Sequence, residues 1–101
     1  MLTDKQKAEL QKEHGNLKFA TLTNDKGEAF QVAFKRPSMT VVDLANKKMM
    51  ATKNPSDYAK TIIANTCVYG KEHLEEDAVK IALYGKVDEI VNSYDVSFEG
   101  N

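Results

Sequence analysis

Cys67, the only cysteine of this 101-residue chain, lies in the stretch "IIANTCVYGKE" and is the side chain best suited to nucleophilic chemistry. A reactive thiol must be held as the thiolate by a cation, a helix N-terminus or a neighbouring histidine. The chain has two histidines, His14 and His73. Helical spacing places Cys67 beside Ile63 on an apolar face, whereas His73 follows Gly70, the expected stop of that helix. Spacing therefore does not pair the thiol with a base. An unpaired cysteine packs as a small hydrophobe and is commonly buried, so Cys67 is read as core and no catalytic residue is assigned.

Metal and cofactor chemistry find no pattern either. A zinc site draws on four ligands at recognisable spacing, and the two histidines, the cysteine and the scattered carboxylates show none. The acidic run Glu75, Glu76 and Asp77 lacks the alternation and the glycine of a calcium loop. Its carboxylates suit the positive end of a helix. No metal or cofactor is expected.

Binding chemistry is better represented. In "FKRPSMT", Lys35 and Arg36 stand just before an expected helix N-terminus, a place that attracts anions. No glycine-rich loop accompanies them, so the pair is read as facing solvent or the carboxylates of a partner, with anion binding as the alternative. Met49 and Met50 are adjacent on a helix, and only one of them can face inward. Methionine adapts to varied partners, and Met39 stands nearby. Lys35, Arg36, Met49, Met50 and Tyr69 are the candidate partner contacts.

These residues must be positioned by a small set of elements. Thr3 and Gln6 fit a capping box, and Gly15 a stop, for a helix from about Asp4 to His14. Its apolar face is thin, which suits a surface helix or a partner contact. Leu17 and Phe19 alternate with Lys18, and Phe30, Val32 and Phe34 alternate with polar residues, around the turn "NDKG". The pattern predicts a hairpin from about Leu17 to Lys35 with one apolar row, whose three phenylalanines need helices or another chain's strand to cover them.

Pro37 ends the second strand. Thr40 is the expected N-cap of the next helix, with Asp43 at its third position and an end near Ala51. Asn54 and Pro55 start another helix. Ala59, Ile62, Ile63, Thr66 and Cys67 share one of its faces, and Gly70 closes it. A helix after Asp77 is interrupted at Gly85 and resumes with Val87, Ile90, Val91 and Tyr94. The fold class is α+β: an N-terminal helix, one β-hairpin, then four short helices packing on it. The expected organisation is one domain over residues 1–101, with a peripheral helix in 1–15, the hairpin in 17–36 and a helical part in 39–98.

The totals agree with such a domain. Apolar residues form 42% of the chain and charged residues 29%, a balance that supports one packed core. A lone cysteine fits a reducing compartment. The stretch "MLTDKQKAELQKEHG" lacks the apolar run of a signal peptide, and nothing approaches the length of a membrane span. Residues 1–60 carry a net +4 and residues 61–101 a net −5. That polarity suits head-to-tail association of identical or related subunits and falls short of a nucleic-acid-binding stripe. Neither nucleic acid nor membrane is an expected partner.

The strand exit "FKRPSMTVVDLA", the run "ANTCVYG" and the closing "EDAVKIALYGKVDEIVNSY" together resemble small bacteriophage tail-assembly chaperone proteins and related morphogenesis proteins. The likeness extends from about Phe19 to Tyr94. It implies a non-enzymatic protein that binds other virion components, tail or capsid, in the host cytoplasm during assembly or in the virion; self-association is expected from the charge polarity alone. By position, Lys35, Arg36 and Pro37 and the segment from Cys67 to Gly70 match recurring features of that family. The chain departs from it in its extra first helix and in showing no sign of a frameshifted extension. Two other readings stand beside this one: an auxiliary capsid or neck protein retained in the particle, and a small cytosolic enzyme using Cys67.

Overall fold

The computed structural model describes residues 1–92 and 96–100. Helix α1 (Asp4–His14) begins at a reciprocal Thr3–Gln6 capping box and ends at Gly15, whose φ is 83°. Strands β1 (Leu17–Thr23) and β2 (Ala29–Lys35) form the hairpin. Its turn is closed by the Asn24 carboxamide oxygen, which accepts from the backbone N–H groups of Lys26 and Glu28. Helices α2 (Met39–Thr52) and α3 (Pro55–Thr66) follow, then strand β3 (Cys67–Tyr69) and a 3-10 turn (Lys71–Glu75). Helices α4 (Asp77–Tyr84) and α5 (Val87–Val91) close the described fold. The class is α+β, as the sequence predicts; Tyr94, expected on the last helix, lies outside the described residues.

The hairpin gains a third strand that the sequence pattern places in a helix. β3 pairs antiparallel with β2, giving the order β1-β2-β3. Cys67 is thus the first residue of a strand and the C-cap of α3, its N–H bonded to the Ile63 carbonyl. The cause is tertiary. β2 offers an unpaired row of backbone groups, and Val68 and Tyr69 are strand-favouring types.

The register also divides the apolar residues differently from the expected single row. Opposite residues are Lys18 with Phe34, Ala20 with Val32 and Leu22 with Phe30. Residues directly opposite share a face, so these six form one side of the sheet. Phe19 pairs with Ala33 and therefore lies on the other side, with Thr21 and Gln31. The first side carries the main core, where Val32 and Phe34 join Ala45, Ile62, Ile63, Cys67, Val79, Leu83 and Ile90. Helix α3 is its hub, touching β2, α2, α4 and α5.

The second side is covered by α1. The Leu2 N–H donates to Gln31 Oε1 at 2.9 Å, and Gln31 Nε2 donates to Thr21 Oγ1 at 3.2 Å. Lys7 Nζ stands 5.4 Å from the centre of the Phe19 ring. No residue of α1 is itself buried. The thin apolar face is therefore matched by polar and cation–ring contacts, which each contribute modestly.

At the start of α2 the cap differs from the expected one. Ser38, not Thr40, accepts the Val41 N–H at 3.3 Å, and the helix begins at Met39. Ser38 directly follows Pro37 and is extended, with ψ of 163°, so its hydroxyl reaches the first turn and Thr40 is left inside it.

Candidate protein-binding surface

The chemistry of Cys67 is decided by its surroundings. The residue is 4% exposed and packs in the core. Its thiol donates to the Tyr69 carbonyl at 3.3 Å. Burial pushes the thiol up from its ordinary value; the Tyr69 hydrogen bond and the charge of Lys71 act the other way, and Glu72 adds to the rise. His73 is engaged elsewhere, stacked on Phe30 with ring centres 4.0 Å apart. Such a thiol keeps its proton and is shielded from reagents.

Labelling of the native protein with iodoacetamide at pH 8 is accordingly expected to run at least about a hundredfold slower than in urea, since it must await opening of the core. Rapid native labelling would show an accessible thiol. The linkage has a definite sign. Above the ordinary thiol range the unfolded chain loses a proton that the folded chain retains, so this group's contribution to stability falls as pH rises through that range.

The candidate partner contacts fall in separate places. Lys35 ends β2 and Arg36 follows it, both exposed. Three residues later α2 begins with Met39, which is not among the predicted contacts and is 71% exposed. Of the adjacent methionines, Met49 is half-buried and Met50 is 73% exposed. At 100° per residue, Met39, Asp43, Asn46 and Met50 lie along one line of α2, the two methionine positions separated by about 16 Å of helix rise. Helical geometry thus places Met50 far from the Lys35–Arg36 pair and puts Met39 beside it. The signal for Met39 was its spacing of eleven residues, three turns, from Met50.

Tyr69 is on a different part of the surface. It lies on β3 opposite Ala33, which places it on the α1 side of the sheet, and it is 41% exposed. Other large apolar side chains at the surface are Leu44, Ile81, Val96 and Phe98. Among the described residues, no group of three His, Cys, Asp or Glu side chains is arranged to hold a metal ion. No helix among them is long and apolar enough to cross a membrane.

A groove of about 700 Å³ runs between β1 and the helices α4 and α5. Phe19, Leu22, Phe34, Leu83 and Ile90 line it, with Lys86 and Glu89 at its rim. Lys18 bridges one end, its Nζ donating to the carbonyls of Glu89 and Asn92 at the end of α5. A cation there offsets the negative end of the helix. Comparison with protein-family models, with curated proteins and with solved structures finds no match.

Proposed function

We propose that this chain is a non-enzymatic protein-binding domain of bacteriophage virion assembly, acting in the manner of a tail-assembly chaperone in the host cytoplasm. Its partners are tail or capsid proteins. The observation that carries the reading is the line of α2 that presents Met39 and Met50, both more than two-thirds exposed, and that starts at Met39 beside the exposed Lys35 and Arg36. A line of flexible thioethers with cations at its start suits a surface that receives an apolar, acidic segment of another protein. The order of segments from Phe19 onward, with its basic strand exit and Pro37, supports the phage assignment.

The test co-expresses the tagged full chain with each tail and capsid protein encoded by neighbouring genes. One of them is expected to co-purify. The double substitution Met39→Asp and Met50→Asp should weaken that complex at least about tenfold, while leaving thermal unfolding of the isolated chain within a degree or two, since neither side chain is buried. Failure of every such protein to bind would defeat the reading. Presence of the chain in purified particles would select a retained capsid or neck component over a transient chaperone.

A further inference from the structure

We propose that the outer edge of β1 and the groove beside it bind residues 96–100 of a second copy of this chain as an added strand. The surface is separate from α2, so the inference goes beyond the reading above. β1 is seven residues long and stands at the end of the sheet order. One row of its backbone groups therefore has no strand partner among the described residues, and an edge of this kind accepts an extended segment. The groove between β1 and α4–α5 supplies apolar depth on the same flank.

The chain carries a segment that fits. From Asp95 to Glu99 it reads "DVSFE", alternating acidic or small polar with apolar residues. In an extended strand Val96 and Phe98 point to one side, with Ser97 and Glu99 on the other. Laid along β1, Val96 and Phe98 enter the groove toward Leu83 and Ile90. Glu99 then turns toward the α1 side, where Lys7 sits over Phe19. Val96 is 73% and Phe98 92% exposed, leaving a period-two apolar pair uncovered by its own chain. The charges agree as well: β1 and α1 belong to the half of the chain with net +4 and the donor segment to the half with net −5.

Strand direction favours a second copy over the same chain. The Asn92 carbonyl accepts from Lys18 Nζ at 2.6 Å, so the chain leaves α5 beside the start of β1. Continuing along β1 from there would make a parallel pair. A second copy can enter antiparallel, the direction of both existing pairs and the slightly more stable one. Donor and acceptor are different surfaces, so the contact is heterologous and propagates head to tail.

Sedimentation velocity of the purified full chain, from micromolar to millimolar concentration, tests this directly. The unsubstituted chain should self-associate, and Phe98→Ala should raise the apparent dissociation constant about tenfold or more. Ala82→Glu, at an exposed α4 position lining the groove, should do the same from the acceptor side. Should that variant fail to fold by circular dichroism, Lys86→Glu replaces it. Mixed together, the donor-deficient and acceptor-deficient chains should form a heterodimer and stop there. An unsubstituted chain that stays monomeric, association indifferent to both variants, or a mixture no larger than its parts would each overturn the proposal. A monomer in which Phe98→Ala shifts the β1 amide resonances would place the segment on its own chain and overturn it equally. The Met39/Met50 double variant should still self-associate, which keeps this test separate from that of the α2 surface.

Discussion

Gly70→Ala is expected to destabilise the chain by about 2–4 kcal/mol in urea unfolding, whereas Gly27→Ala costs only about 1 kcal/mol. The two glycines have nearly the same backbone, φ of 82° and 81°. A side chain in that left-handed region costs about 1 kcal/mol at either site. They differ in what a Cβ would meet. At Gly27 nothing lies within 4 Å, but at Gly70 the new carbon would be 2.8 Å from Val32 Cγ1 and 2.9 Å from the Gln31 carbonyl oxygen.

Neither of those atoms can retreat cheaply. Val32 is fully buried in the core, and the Gln31 carbonyl belongs to a central strand paired on both sides. Overpacking of this kind adds roughly 1–3 kcal/mol. Gly70 is therefore not the helix stop expected from sequence, since α3 ends at Thr66 with Cys67 as its cap; it lets the chain turn away from β3 while pressed against β2. Equal losses at the two glycines would show that the close approach is absent in solution. Midpoints should shift with the denaturant slope unchanged, because the alanine variants bury the same surface.

Much of the fold was legible because local chemistry and tertiary packing agree. Thr3 with Gln6, and Asn54 with Pro55, mark helix starts whose unsatisfied N–H groups need those caps. The hairpin ends fall where the alternation ends, at Leu17 and Lys35. β3 was hidden because Cys67 continues the helical spacing of Ile63 and Thr66, and three residues are too few to display a period of two. What makes this segment a strand is the free edge of β2, which no local pattern encodes. Among the contact candidates, Met50 was legible as the outward member of an adjacent pair, while Met39 needed the true start of α2. The groove beside β1 depends on strand order and on where α4 and α5 pack, neither of which residue types reveal.

The pairing register has the largest energetic consequence, through the three phenylalanines of the hairpin. Alternation within each strand is clear, but it does not say which row of β1 joins which row of β2. The turn decides that: Asn24 closes it through Lys26 and Glu28, and opposite residues then share parity, Lys18 with Phe34 and Phe19 with Ala33. A slip by one residue would exchange the faces. Phe34, 2% exposed, has Lys18 across one pair and Cys67 across the other, so it joins all three strands to the helices. Phe34→Ala should cost about 3–5 kcal/mol, a large part of the roughly 5–15 kcal/mol that stabilises a typical domain. Phe19 is half-buried under α1, and Phe19→Ala should cost about 1 kcal/mol, in keeping with partial burial and one cation–ring contact. Cys67 reports on the same asymmetry. Because it is the strand partner of Phe34, its alkylation in native buffer should accelerate at least about tenfold in Phe34→Ala and stay slow in Phe19→Ala. Similar costs and similar labelling for the two variants would mean that both rings face one core, and the observed register would have to be abandoned.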